Sequence, residues 1–122
     1  MGVYIFESRE CPWIKIGHHK LSLKRPNVYY RVAGRGFHSC RHPLELENRL
    51  DMDNFNLVAW YPTLTVKDEK SIHKKCRTTE SCGEFHPKSC LPFAIVECST
   101  RGEHQNVSHT DKMNAILWAG KR

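Results

Sequence analysis

The chain has 122 residues, the length of one ordinary domain and enough to bury a single core. Its 26% charged and 39% hydrophobic residues indicate a soluble globular protein rather than a disordered one, and its longest apolar runs are far too short to cross a membrane. The net charge of +6 favours polyanionic partners, with nucleic acid ahead of acidic membrane surfaces. The start of the chain lacks a signal-peptide pattern, so we expect an intracellular protein whose six cysteines are thiols or metal ligands.

The first predicted element is an antiparallel hairpin. Residues 3–7 are rich in aromatic and β-branched side chains, which predicts a strand. After a turn, residues 13–18 place Ile14 and Ile16 on one face and Lys15 on the other, as in a second strand. Alternation along both strands therefore gives each polar side chain one defined face of the sheet.

A basic stretch follows the hairpin. Pro26 suits the first turn of a helix, and we predict that residues 27–33 are helical until two glycines end the helix. The leucines of residues 44–50 predict a second, short helix. Residues 15–49 contain eight basic side chains and only two acidic ones, an excess that can contact several phosphates. Of these basic residues, we expect four to bind the substrate: Lys20, Lys24, Arg31 and Arg35.

Two further elements are predicted in the middle of the chain. The largely apolar and aromatic residues 55–61 predict a central strand. Thr65 is a suitable N-cap for a helix over residues 66–76, with two acidic residues in its first turn. Residues 77–91 are predicted to form a loop.

The end of the chain predicts a strand and a helix. The short apolar run 93–98 predicts the strand. Residues 110–119 predict an amphipathic helix with Met113, Ile116 and Leu117 towards the core. The whole order is ββααβαβα, which predicts one α+β domain over residues 1–122, with a small, mostly antiparallel sheet flanked by helices.

Four side chains in this order suit the cleavage of a phosphodiester. That reaction needs an activated nucleophile, a cation to neutralise developing charge, and positive groups around the phosphoryl oxygens. Tyr4 lies in the first predicted strand and Lys15 in the second, so the hairpin can bring them together. Arg25 follows Lys15 by ten positions, and Glu69 lies in the first turn of a later helix. A carboxylate such as Glu69 can hold a hard cation such as Mg²⁺.

The motifs that carry these residues resemble those of the GIY-YIG nuclease superfamily. The likeness is strongest to a phage-type branch whose second motif is Lys-Ile-Gly. Residues 2–4 match the first motif and residues 15–17 the second, while Arg25 and Glu69 match the arginine and the metal-binding glutamate of the family. Two further segments resemble the Glu-x-x-x-His and Gly-Glu-Trp-Phe signatures of that branch: Glu69 to His73, and Gly83-Glu84-Phe85. The resemblance covers residues 2–86, and the rest of the chain adds the predicted C-terminal strand and helix.

This resemblance implies a metal-dependent endonuclease that hydrolyses DNA with Mg²⁺ or Mn²⁺. Tyr4 would act as the general base, and Lys15 would favour its phenolate. His18 would relay the proton or hold the phosphate, and Arg25 would grip the scissile phosphate. Glu69 would hold the cation. One such site cuts one strand per visit, so double-strand cleavage needs two copies or two events.

Two positions depart from the family pattern. Lys15 replaces the second tyrosine, and Glu84 lies near the place where the family has an asparagine. His73, four positions after Glu69 on the same helix face, is expected to support the cation from outside its ligand shell.

Two other interpretations predict a different function. The missing asparagine favours a nucleic-acid-binding module that kept the fold without the catalysis. A group of potential ligands within residues 73–90 keeps structural Zn²⁺ open, and with it a zinc-stabilised interaction protein. The members of this group are His73, Cys76, Cys82, His86 and Cys90.

Overall fold

The hairpin predicted at the start of the chain forms the centre of an antiparallel sheet of four strands in the computed structural model. Strands β1 (Gly2–Ser8) and β2 (Trp13–His19) pair with each other, β3 (Phe55–Tyr61) pairs with β1, and β4 (Phe85–Pro87) pairs with β2. Helices flank this sheet, so the predicted α+β class is confirmed. The structure describes residues 1–120, without the side chains at positions 35, 36 and 39, so the predicted role of Arg35 lies outside the described residues.

The strand predicted over residues 93–98 is wrong. This segment lies in helix α3 (Leu91–Ser99), which begins with Pro92 in its first turn and buries Ala94 and Cys98, four positions apart. A short apolar run fits a buried strand or a buried helix equally well, and the proline favours the helix because its missing N–H costs nothing there. The fourth strand of the sheet is instead β4, which lies in the segment predicted as a loop.

The remaining helices follow the prediction more closely. Helix α1 (Pro26–Tyr30) continues into a π-helical turn over Arg31–Arg35, and α2 (Val66–Cys76) has the predicted bounds. Thr65 caps α2 in a reciprocal capping box, in which its hydroxyl accepts from the backbone N–H of Asp68 and the Asp68 carboxylate accepts from the backbone N–H of Thr65. The short helix predicted over residues 44–50 is a single 3₁₀ turn over Leu44–Leu46.

The last helix, α4 (His109–Gly120), forms where it was predicted but turns a different face to the protein. Ala115 is its buried residue, whereas Met113, Ile116 and Leu117 are 39–59% exposed. The helix packs on α1, and the small Ala115 side chain permits that close approach. None of the helices within residues 1–120 has the length and apolar content that crossing a membrane requires.

The sheet separates two apolar clusters. One face carries Tyr4 and Phe6 and packs against α1, the turn that follows it and α4. The other face carries the isoleucines of β1 and β2 and packs against α2 and α3. Side chains from both faces can meet only at an edge of the sheet. The candidate site forms at the edge next to β2.

Candidate active site

The site is a cavity beside the end of β2. The register pairs β4 with Trp13–Lys15 alone, so within residues 1–120 the last part of β2 has no neighbouring strand on that side. A cavity of about 320 Å³ opens there, lined by side chains from β1, β2, α2 and the chain around Arg31. Its lining residues are Tyr4, Lys15, His18, His19, Arg31, Val32, Cys40, Glu69 and Glu84.

Tyr4 and Lys15 form a buried pair in the wall of this cavity. Alternation places both side chains on the same face of the sheet, where Lys15 lies opposite Phe6 and Tyr4 opposite Gly17. The Lys15 ammonium donates a 3.0 Å hydrogen bond to the Tyr4 hydroxyl. A Cβ at Gly17 would overlap the Tyr4 ring and hydroxyl, so the glycine of the Lys-Ile-Gly motif makes room for the tyrosine.

The protonation states of Tyr4 and Lys15 depend on their burial and on the charged groups next to them. Burial raises the pKa of Tyr4, and this effect outweighs the lowering by the Lys15 ammonium. Burial acts to lower the pKa of Lys15, but the adjacent Tyr4 and Glu84 raise it by more. Lys15 therefore stays an ammonium ion and Tyr4 a neutral phenol in the free protein. The Lys15 ammonium acts to lower the pKa of Tyr4, as predicted, but burial raises that pKa by more.

Two carboxylates and an imidazole converge next to this pair. Glu69 and His73 lie one turn apart on α2, and His73 Nε2 is 3.4 Å from Glu69 Oε2 and 4.0 Å from Glu84 Oε2. One potential ligand atom from each of the three residues lies within 4.8 Å of the other two. Within the described part of the chain, this is the one group of three or more histidine, cysteine or acidic side chains placed to share a metal ion.

The pKa values of the two carboxylates are shifted in opposite directions. Burial raises the pKa of Glu84; the Lys15 ammonium acts to lower it, the charge of Glu69 and its hydrogen bond act to raise it, and the net shift is upward. Burial also acts to raise the pKa of Glu69, but the neighbouring His73 and Glu84 lower it overall. Carboxylates this close cannot both carry a free charge, so a proton or a cation must compensate them.

Gly83 directs Glu84 into the site. Its φ of +58° lies in the left-handed region, and a Cβ there would come within 2.9 Å of the Arg41 carbonyl oxygen. The chain turns at this glycine and enters β4, and the Glu84 carbonyl accepts a hydrogen bond from the Ile16 amide. Glu84 Oε2 then lies 3.7 Å from the Lys15 ammonium, which links the carboxylates to the Tyr4–Lys15 pair.

A second histidine, His86, contacts His73. The Nε2 atom of His86, a fully buried residue, lies 2.8 Å from His73 Nδ1, and its Nδ1 atom lies 2.8 Å from the Ser81 hydroxyl. Burial lowers the pKa of His86 to about 4, and the neighbouring His73 and Arg77 contribute to that shift. His86 is therefore a neutral ring that must donate on one side and accept on the other.

Two histidines and one arginine line the cavity beside these groups. Burial lowers the pKa of His18, although the nearby Glu69 acts in the opposite direction. The buried Nε2 atom of His18 has no hydrogen-bond partner within the described residues. The His19 Nδ1 accepts a hydrogen bond from the Leu21 amide, so its other nitrogen carries the proton. Arg31, an exposed residue, also lines the cavity and adds a guanidinium group to it.

The structure brings some of the predicted site residues together and leaves others apart. Tyr4, Lys15, His18 and Glu69 line the cavity, and so does Arg31, which was predicted only as a substrate contact. The remaining three predicted cations lie outside its lining and are exposed at or before the start of α1: Lys20, Lys24 and Arg25.

The sequence prediction did not include Glu84, His86 or Ser81 in the site. Glu84 could have been included, because it lies near the position at which the family has an asparagine. His86 was considered only as a potential zinc ligand. Of the thiols grouped with it, that of Cys90 donates to the Cys76 carbonyl at 3.7 Å, and the six cysteines, which all lie within the described residues, form no disulfide.

Comparison of the chain with protein-family models, with curated proteins and with solved structures finds no match. The resemblance to the GIY-YIG nucleases therefore stays a prediction that rests on the motif residues.

Proposed function

We propose that the chain is a metal-dependent endonuclease that hydrolyses phosphodiester bonds of DNA in a reducing, intracellular compartment. The observation that carries this proposal is one cavity in which a phenol, an ammonium, a guanidinium and two carboxylates meet. Hydrolysis of a phosphodiester requires this combination of a base, cations and metal-holding oxygens.

The donor atoms of the site suit a divalent cation. Glu69 and Glu84 present two carboxylates that need positive charge between them, and the buried Nε2 of His73 has no hydrogen-bond partner in the part of the chain that the structure describes. Glu69 and Glu84 would hold the ion, as hard oxygen ligands hold Mg²⁺ or Mn²⁺. A bound ion would neutralise charge on the phosphoryl oxygens and stabilise the leaving oxygen.

Tyr4 is the group in the cavity that suits the role of general base. Its phenolate would take a proton from the water that attacks phosphorus, while the P–O bond to the leaving oxygen breaks. Because the phenol must first lose its own proton, the reaction should accelerate as the pH rises. The Lys15 hydrogen bond stabilises the phenolate more than the phenol, since a charged acceptor strengthens it.

Arg31 and His18 are the groups available to bind the phosphate. Arg31 presents planar donors that match a phosphate, and the unpaired Nε2 of His18 can add a further hydrogen bond. Arg31 thus takes the role that the motif pattern gave to Arg25. The exposed Lys20 and Lys24 would contact the flanking backbone of the nucleic acid without reading its sequence.

The test is the nicking of supercoiled plasmid DNA by the purified chain. We expect cleavage with Mg²⁺ or Mn²⁺ and none with a chelator. Glu69→Gln keeps the shape of the side chain and removes the charge, so it should reduce the rate at least about 100-fold. The matched control is Glu103→Gln, an exposed glutamate outside the cavity lining, which should leave the rate unchanged.

The alternative of a non-catalytic nucleic-acid-binding module, which the missing asparagine already favours, is also favoured by the raised pKa of Tyr4, because that shift keeps the candidate base neutral. Salt-dependent binding of DNA without nicking at any pH between 6 and 9.5 would support that alternative and reject the nuclease. Nicking that persists in Glu69→Gln would reject the assignment of the site.

A further inference from the structure

We propose that the cation site is a mixed centre of Glu69, His73 and Glu84 that prefers a first-row transition metal ion over Mg²⁺, with His86 and Ser81 as its positioning residues. The inference rests on the proposed function for its divalent cation, and it adds the identity of the ligands and the class of the metal.

The position of His73 is the first argument. Its Nε2 atom is buried and has no hydrogen-bond partner among the described residues, although it lies 3.4 Å from one Glu69 oxygen and 4.0 Å from one Glu84 oxygen. Donor atoms about 2.1 Å from a common ion lie roughly 3.0–3.5 Å apart when they are neighbours in its ligand shell. The three side chains are therefore close to the separations of a shared metal ion, and one ion would satisfy all three.

The hydrogen bonds behind His73 are the second argument. Its Nδ1 atom lies 2.8 Å from His86 Nε2, and His86 Nδ1 lies 2.8 Å from the Ser81 hydroxyl. If the His86 ring donates to Ser81, its Nε2 accepts from His73 Nδ1–H, which leaves the lone pair of His73 Nε2 facing the carboxylates. The serine hydroxyl can accept in this way, so the chain of contacts can fix the ligand tautomer of His73.

The ligand set decides the class of metal. Mg²⁺ prefers oxygen ligands and keeps several waters, whereas imidazole nitrogen binds first-row transition ions more strongly. A site with one nitrogen and two carboxylates therefore favours ions such as Mn²⁺, Co²⁺ or Zn²⁺. Removal of His73 should leave a two-carboxylate site with little preference between Mn²⁺ and Mg²⁺.

The test uses Mn²⁺ as the probe and needs no nucleic acid. Pulsed EPR of the purified full chain with Mn²⁺, in a buffer without nitrogen, should show coupling to a ¹⁴N nucleus. We expect this coupling to disappear in His73→Asn and to persist in His109→Asn, which removes an exposed histidine at the start of α4. Bound Mn²⁺ without ¹⁴N coupling in the wild type would overturn the proposal.

Affinities separate the roles of ligand and positioning residues. Mn²⁺ should bind the wild type at least about 10-fold more tightly than Mg²⁺, and this preference should vanish in His73→Asn. Ser81→Ala should weaken Mn²⁺ binding about 10-fold or more, while a weaker ¹⁴N coupling remains. Ser22→Ala, in the loop before α1, should change neither. Thermal unfolding of each variant without metal checks that it folds, and equal affinities for Mn²⁺ and Mg²⁺ in the folded wild type would overturn the proposal.

The result is independent of nuclease activity. Nicking with Mg²⁺ by a protein that shows no ¹⁴N coupling would overturn this inference and leave the proposed function standing. Nitrogen-coordinated Mn²⁺ in a protein that never nicks DNA would leave the inference standing and reject the nuclease.

Discussion

The ammonium group of Lys15 lies 3.0 Å from the Tyr4 hydroxyl and 3.7 Å from a carboxylate oxygen of Glu84. Its side chain is 2% exposed, so these two groups replace most of its hydration. The same ammonium therefore acts to lower the pKa of Tyr4 on one strand and balances a carboxylate of the candidate metal centre. A single buried cation thus couples the proposed base to the proposed cation site.

Replacement of Lys15 by methionine tests this coupling. Lys15→Met keeps most of the side-chain volume and removes the charge that lowers the pKa of Tyr4. We expect DNA cleavage to fall at least about 100-fold, as for the loss of one preorganised charged donor, and its pH–rate profile to move to higher pH. Single-turnover nicking rates measured from pH 6 to pH 9.5 provide the measurement. Lys20→Met, at an exposed lysine, is the control, and an unchanged profile in Lys15→Met would contradict the role.

The two candidate arginines can be distinguished directly. Arg31 lines the cavity, whereas Arg25 precedes α1 as an exposed residue outside the lining. We expect Arg31→Ala to reduce the single-turnover rate at saturating DNA at least about 10-fold more than Arg25→Ala. Arg25→Ala should instead weaken DNA binding and reduce its salt dependence by about one phosphate contact. The opposite ranking would restore Arg25 as the phosphate-binding arginine.

Much of the fold was predictable because its elements carry local signals. β1 is a short aromatic and β-branched run, β2 alternates two isoleucines with Lys15, β3 is a largely apolar and aromatic run, and α2 has its capping residue and acidic first turn. Residues 93–98 were predicted wrongly because a run of five apolar residues and one glutamate has no decisive period. β4 was not predicted because it has only three residues, which form a strand by pairing with β2. So short a segment has almost no sequence pattern of its own.

The candidate site was predictable only where its residues lie in short motifs. Tyr4 and Lys15 could be placed together because a hairpin register joins them. Glu84 and His86 come to the site through the left-handed turn at Gly83 and the pairing of β4, which are tertiary features. The exposed face of α4 has the same origin, since packing against α1 selects Ala115 over the larger apolar residues.

The glycine of the second motif should matter through its lack of a side chain. Gly17→Ala would place a Cβ against the Tyr4 ring, so either the ring or the strand must move. We expect a loss of about 1–3 kcal/mol in the free energy of unfolding, together with slower DNA cleavage because Tyr4 shifts relative to Lys15. Gly120→Ala is the matched control, because open space surrounds that position at the end of α4. Equal stability of both variants in urea unfolding would show that the close approach of Tyr4 to Gly17 is not required.

The fully buried His86 should make the metal-free protein sensitive to acid. Its pKa is about 4 in the folded protein and 6.5 when unperturbed, so unfolding below pH 6.5 takes up a proton. The stability that results from this difference is fully present above pH 6.5 and is lost as the pH falls from 6.5 through 4. The shift corresponds to about 3 kcal/mol in the free energy of unfolding.

Urea unfolding with a chelator at pH 7.0, 5.5 and 4.5 measures this loss of stability. His86→Gln should reduce the dependence on pH, whereas His109→Gln should keep that of the wild type. The same loss of stability towards acid in His86→Gln as in the wild type would assign the effect to the other buried groups, with His18 and His19 first among them because their pKa values are also lowered by burial.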